Sequence, residues 1–379
     1  MVKEIDLKSK VLDNLDNLVA IADQFNPQGQ IIDIQAFGNG NINDTFLVTL
    51  DSPAQKHFIL QRINTHVFRQ PELVMQNMRV FTECATKRLQ DWTLDRDRRW
   101  EIPSVLLTRD NLEYWMTPEG GFWRAISFID RAQSFDTITD IDRAREVGYA
   151  LGTFHNLISD LPPARLADTL EGFHITPHYL QHYDAVLAKY DKSKSPEVEY
   201  CWQFVNTRRT WVRVLEEAKV NGELPLRVMH GDPKINNVLF DLNTGRAISI
   251  IDLDTIKPGL VHYDIGDCLR SSCNSLGEET QQWQSVRFET ELAQAILQGY
   301  ILQAKDFLTE NDYKYIYDAI WLLAFELGLR FFTDYLAGNV YFKAKYQEHN
   351  LARALVQFQL TQSIEAQQSA IGAIVWDLK

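Results

Sequence analysis

The sequence predicts an α+β protein in which a small β-rich part precedes a larger, mainly helical part. Three observations carry that expectation. Residues 31–37 ("IIDIQAF"), 45–50 ("TFLVTL") and 57–63 ("HFILQRI") are short β-branched and aromatic runs separated by turn residues. After residue 130 apolar positions recur at helical spacing, in "RAREVGYALGTFHNLI" (143–158), over 176–220, and from 279 to the end. A polar loop, "RVMHGDPKINNVLFD" (227–241), interrupts that helical part and runs straight into a short strand.

The first elements follow in order. Leu12, Leu15, Leu18, Val19 and Ile21 or Ala22 recur at helical spacing over residues 5–25, which the break at "FNPQGQ" ends. The three strands come next. Pro71 then opens a second helix, "PELVMQNMRVFTECATKRL", with Leu73, Met78 and Phe81 on one side. Strand-like pieces at 102–107 and 112–116 lead to "FWRAISFID" at 122–130. An acidic connector near 126–133 marks the boundary, giving one part over 1–125 and another over 126–379.

A chain of 379 residues has room for two cores, and 45% hydrophobic with 23% charged residues is the composition of a folded protein. A net charge of −13, from 38 basic and 51 acidic residues, argues against nucleic acid or an anionic membrane as the main partner. Charges scattered through the N-terminus argue against a signal peptide, and no apolar run is long enough to span a bilayer. Cys84, Cys201, Cys268 and Cys273 are widely spaced with no CxxC pair, as expected of reduced thiols in the cytoplasm.

The loop at 230–254 carries the chemistry. Asp232 stands five positions before Asn237, and "ISIIDLD" places Asp252 twenty positions after Asp232. Val238–Phe240 and Ile248–Ile251 form a hairpin around "DLNTG", which brings Asp252 back beside Asn237. Two carboxylates and an amide oxygen in one small volume suit Mg²⁺, with room left for phosphate oxygens and water. Phosphoryl transfer needs this kit: Asp232 as base, Asn237 and Asp252 as metal ligands, and Lys234 as a cation for the transferring group. Taken singly, each residue could equally make the turn hydrogen bonds of a polar hairpin.

"HGDPKINNVLFD" and "IIDLDTIKPGLVHYDIGD" resemble the aminoglycoside phosphotransferase and choline kinase superfamily. The resemblance is closest to its N-acetylhexosamine 1-kinase branch. It extends to "GNGNINDTFLV" (38–48), "FILQRINTHVF" (58–68) and "LRFFTDYLAGNVYFK" (329–343). It implies a bilobal protein-kinase-like fold, with a small β-rich N-lobe, a large mainly helical C-lobe, and ATP as co-substrate. "GNGNINDTF" takes the place of the phosphate loop, where Gly38 and Gly40 let backbone N–H groups approach phosphate, although a plain β-turn reads the same way. "AISFID" would be the hinge facing adenine, through Phe128 and Ile129. His230 would hold the loop by hydrogen bonds, and Asp264 and Asp267 would brace it.

One departure from protein kinases stands out. Their strand lysine is absent, and "HFILQRI" offers Gln61 or Arg62 in its stead. Arg62 carries the charge, with Glu83 ahead of Glu72 as its helix partner.

The acceptor segment is "RFFTDYLAGNVYF". A helix ends at Gly338, and Arg330 and Asp334, at i and i+4, share one face beside Tyr341 and Phe342. Aromatic faces next to hydrogen-bonding charges suit a sugar; core aromatics with a surface ion pair are the plainer alternative. In the hexosamine kinase branch this segment lines the sugar pocket, as does the start of "NIND" (Asn41 to Asp44). After Asp252 there is no DFG, no long activation segment and no APE, so the acceptor is a small molecule.

The sequence therefore predicts a cytoplasmic, Mg²⁺- and ATP-dependent kinase of a sugar hydroxyl, by resemblance the anomeric hydroxyl of an N-acetylhexosamine. Choline, homoserine or an aminoglycoside-like amine are alternative acceptors, and a catalytically silent nucleotide-binding protein is the alternative of another class.

Overall fold

The computed structural model describes residues 17–379 except 26, 39–41, 92–97, 139 and 191–194. The chain divides into two compact units, Met1–Thr86 with Glu101–Asp130, and Lys87–Trp100 with Arg131–Lys379. The expected cut after 125 would divide a strand (Phe122–Ser127) that pairs on both sides, so the boundary falls after Asp130.

The first unit is an antiparallel sheet with helical cover. Strands β1 (Gln30–Ala36), β2 (Asp44–Asp51), β3 (His57–Arg62), β4 (Val105–Leu106), β5 (Trp115–Met116) and β6 (Phe122–Ser127) lie in the order β1-β2-β3-β6-β4, with β5 also on β6. Period-2 alternation sends Ile34, Val48, Leu50, Phe58, Leu60, Trp123 and Ala125 to one face. Ile21 and Ala22 of helix α1 (17–23) and Phe25 cap that core. Helix α2 (Pro71–Asp91) buries Val74, Met75, Met78, Phe81 and Ala85. The strand-like pieces at 102–107 and 112–116 shrink to two-residue bridges, because only those residues find ladder partners on β6.

In the second unit helices dominate. Helix α3 (Ile141–Leu157) crosses α8 (Thr290–Ala304), and the central α10 (Ile316–Ala337) packs against α4 (Thr176–Leu187), α7 (Val261–Ser272) and α11 (His349–Ala366). The α3–α8 crossing is built on glycine. A Cβ at Gly148 would overlap the Ile296 carbonyl, and one at Gly299 would overlap the Arg145 carbonyl. Backbone therefore meets backbone, and Gly148→Ala should destabilise the protein by roughly 1–3 kcal/mol, the usual range for overpacking. A urea melt that leaves the midpoint unmoved would contradict this.

Between α7 and the helices before it the chain forms small ladders. β9 (Val238–Asp241) pairs β10 (Ala247–Ile250) and β7 (Ala132–Gln133), and β8 (Arg227–Met229) pairs β11 (Lys257–Gly259). Asp241 accepts from Asn243 N, Thr244 N and the Thr244 hydroxyl, fixing the predicted hairpin turn. From Asp252 the chain makes one 3₁₀ turn (Leu253–Thr255), the three residues of β11, and enters α7 at Val261. Among the described residues no helix is long and apolar enough to cross a membrane.

Candidate active site

The loop after β8 is pinned from behind by Asp264, a fully buried carboxylate on α7. Its Oδ2 accepts from His230 N at 2.6 Å and its Oδ1 from Gly231 N at 2.8 Å. His155 Nε2 lies 2.8 Å from the same Oδ2, and His155 Nδ1 lies 3.0 Å from the Tyr300 hydroxyl. Gly231 sits at φ 88 with Thr255 against it, so a Cβ would come within 2.8 Å of the Thr255 carbonyl oxygen. Only glycine fits this turn.

His230 is neutral with its proton on Nε2. That nitrogen donates to the Ile251 carbonyl (3.0 Å), while Nδ1 accepts from Asp232 N (3.2 Å). Burial pushes its pKa down, against the pull of Asp264 and Asp232. His230 thus ties the turn carrying Asp232 to the strand leading into Asp252.

Asp232 faces Lys234 and Asn237. Lys234 Nζ donates to Asp232 Oδ2 at 2.6 Å. Burial disfavours its ammonium, but Asp232 and Asp252 outweigh that and push the pKa up. Asn237 Nδ2 donates to the Asp232 carbonyl (2.8 Å) and to Asp232 Oδ2 (3.3 Å). Both partners are acceptors, so the amide must present its NH₂ to them and its Oδ1 elsewhere. Ile251 N donates to the Asn237 carbonyl at 2.9 Å, which brings the exposed Asp252 alongside. Asp252 adopts φ 67, a left-handed conformation uncommon for a non-glycine residue. Among the described residues no three His, Cys, Asp or Glu side chains form a metal site complete in itself.

A second polar cluster lies on α10 of the same unit. Arg330 is 14% exposed, with its guanidinium carbon 4.9 Å from the Tyr179 ring centre and 5.5 Å from those of Phe173 and Phe342. Its nearest acid is Glu326, at 4.0 Å, and it donates no hydrogen bond to a described residue. Burial pushes the Tyr179 hydroxyl up to about 12 against the pull of Arg330.

A family model described as the phosphotransferase enzyme family matches residues 33–309. The chain belongs to the APH phosphotransferase enzyme family. It is a phosphotransferase. Its fold is that of solved APH-type kinases. An aminoglycoside phosphotransferase from Alicyclobacillus acidocaldarius superposes with a TM-score of 0.59 at 14% identity, covering 93% of this chain and 96% of that one. A microcompartment-associated aminopropanol kinase gives 0.60 at 16% identity, covering 93% and 98%. Choline kinase from Cryptosporidium parvum gives 0.57 at 15%, covering 91% and 92%.

In this APH-family enzyme the structure brings Asp232, Lys234, Asn237 and Asp252 together, and separately Arg330, Tyr341 and Phe342. It does not bring Arg62 and Glu83 together. Arg62 is exposed at the end of β3, and Glu83, 59% exposed, pairs with Arg79 on the solvent face of α2. Glu72 is exposed as well. The interior of the sheet unit instead holds Arg124 of β6, whose Nε and a terminal NH donate to Gln61 Oε1 at 3.0 and 2.8 Å. Gln61 in turn donates to the Thr45 hydroxyl at 3.1 Å.

Asp334 is corrected too. It is buried and accepts from the backbone N–H groups of Val340, Tyr341 and Phe342 and from Asn350 Nδ2. Its oxygens shape the loop after Gly338 and form no surface ion pair with Arg330. Phe128 edges against Phe37 and His57, and Ile129 is buried. Gly38 has φ 74 and open space around it, and Asp44 begins β2 opposite Arg62. Gly40 and Asn41 lie outside the described residues. Sequence reasoning missed Phe173, His174, Tyr179 and Glu326. A lone acid in the apolar run "AIWLLAFELGLRFF" was the available signal for Glu326.

Proposed function

We propose that this enzyme transfers the γ-phosphoryl group of Mg-ATP to a hydroxyl of a neutral sugar, an N-acetylhexosamine at its anomeric position. The observation that carries the reading is Arg330, a part-buried guanidinium ringed by aromatic faces with N–H donors left for a ligand. A fixed cation there repels choline, aminoalcohols and aminoglycosides and favours hydroxyl or amide oxygens. The rings of Phe342 and exposed Tyr341 offer faces to sugar C–H groups.

In this reading Asp232 orients the acceptor hydroxyl and accepts its proton. Lys234, now on Asp232, moves to the phosphoryl oxygens as their charge develops. Asn237 Oδ1 and the Asp252 carboxylate fit Mg²⁺: two hard oxygens too few to close a site alone, leaving positions for phosphate and water. When bound, that ion neutralises charge on the β- and γ-phosphates. The sheet unit would take the nucleotide through Gly38, Phe128 and Ile129, and the helical unit would take the acceptor. Cys201, Cys268 and Cys273 are buried free thiols whose pKa burial pushes up, in keeping with a reducing cytoplasm.

The test follows ADP release from Mg-ATP against N-acetylglucosamine, N-acetylgalactosamine, glucose, galactose, choline, homoserine and kanamycin. Turnover confined to the N-acetylhexosamines supports the proposal, and turnover confined to an amine removes the sugar. Arg330→Met should lower kcat/KM for the sugar about tenfold to a hundredfold, the loss of a charged hydrogen bond. An unchanged kcat/KM would remove Arg330 from the acceptor site.

A further inference from the structure

His174 is distant from the catalytic loop in sequence, yet its ring bridges that loop to α10. Nδ1 lies 2.9 Å from Glu326 Oε1, and Nε2 lies 2.8 Å from the Gly231 carbonyl oxygen. A carboxylate and a carbonyl only accept, so both ring nitrogens must donate, and an imidazole with two N–H donors is an imidazolium. The other Glu326 oxygen accepts from the Thr176 hydroxyl at 2.7 Å, which stops the carboxylate turning away. The ring is 4% exposed, between Phe173 (centroids 4.0 Å apart) and Tyr263 (5.5 Å). Its backbone holds φ 64, a conformation costly for a side-chain-bearing residue.

Resting on the kinase reading above, we propose that His174 is a positioning residue for phosphoryl transfer. Held as a cation, it clamps the Gly231 carbonyl, and with it the peptide carrying Asp232, to Glu326, one turn from Arg330 on α10. The base and the acceptor-binding helix are thereby kept in register.

The titratable and charged groups facing the ring are Glu326 from α10 and Asp267 and Tyr263 from α7, while the Tyr179 hydroxyl of α4 meets the His174 backbone and Arg330 lies 4.0 Å from Glu326. Burial alone would lower the His174 pKa, but Glu326, then Asp267 and the Gly231 carbonyl, raise it above the ordinary 6.5. A base held above its unfolded value stabilises fully below pH 6.5, and that contribution is lost as pH rises through the folded value. Deprotonation there removes one of the two clamps.

The experiment uses the full chain labelled with ¹⁵N-histidine, with the rate read as ADP release from Mg-ATP, with the sugar and without acceptor. At pH 7 the His174 ring should carry two protonated nitrogens and lose one on the alkaline side. Glu326→Gln should lower that titration by about one pH unit or more, as losing an adjacent opposite charge does. The alkaline limb of kcat should move down with it. A neutral ring in the wild type at pH 7 overturns the inference whatever the acceptor is. So does a rate limb that stays in place while the ring titration moves. Failure of every sugar with the acceptor-free limb still tracking the ring would sink the acceptor reading and leave His174 in place.

Discussion

Asp232→Asn should lose turnover by about 10²- to 10⁴-fold while still binding Mg-ATP. The substitution keeps the shape of the side chain and removes only its charge and basicity. The carboxylate takes the Lys234 ammonium and a longer bond from Asn237, but the backbone links remain without its charge: Asp232 N donates to His230, and the Asp232 carbonyl accepts from Asn237. Asp264 holds the preceding two N–H groups. The fold and the nucleotide site are therefore expected to survive, and the loss should appear in kcat with nucleotide affinity by calorimetry preserved. Wild-type turnover in the variant would remove Asp232 from the chemistry.

Asp264→Ala should cost about 3–5 kcal/mol of folding stability, the usual penalty for removing one member of a buried charged network. Three donors lose their acceptor together: the N–H groups of His230 and Gly231, and His155 through Nε2 where that nitrogen carries its proton. None of them has water to turn to, since His155, His230 and Gly231 are all buried. A loss of that size is a large share of the 5–15 kcal/mol typical of a folded domain. Chemical denaturation should show it directly. Asp264→Asn should fall between the two, because an amide keeps one accepting oxygen and turns an N–H toward a donor at the other. Equal midpoints for wild type and Asp264→Ala would contradict the account.

Local signals were readable in the sequence wherever a residue's partners lie close along the chain. The hairpin around "DLNTG" was legible because its turn is closed by Asp241 on residues two and three positions ahead. The polar loop after β8 was legible as a cluster for the same reason, with Asp232, Lys234 and Asn237 within five positions. What stayed hidden depends on long-range closure. Asp264 meets His155 across 109 residues, and His174 meets Glu326 across 152. Asp334 was misread because helical spacing says which face a residue shares, while its real partners are backbone N–H groups of a chain that folds back after Gly338. Glu83 was misread because an acid on an amphipathic helix carries no mark of which face is buried, and α2 turns Met75, Met78 and Phe81 inward instead.

The path from Asp252 to α7 bears on how such an enzyme is governed. It is one 3₁₀ turn and a three-residue strand locked onto β8, with the Thr255 hydroxyl bonded to the His230 carbonyl at 2.7 Å. A segment this short and this tied gives a modifying enzyme nothing to refold between Asp252 and α7. For the kinase proposed above, control by refolding of this segment is therefore closed, and the enzyme's rate would follow the concentrations of acceptor and nucleotide.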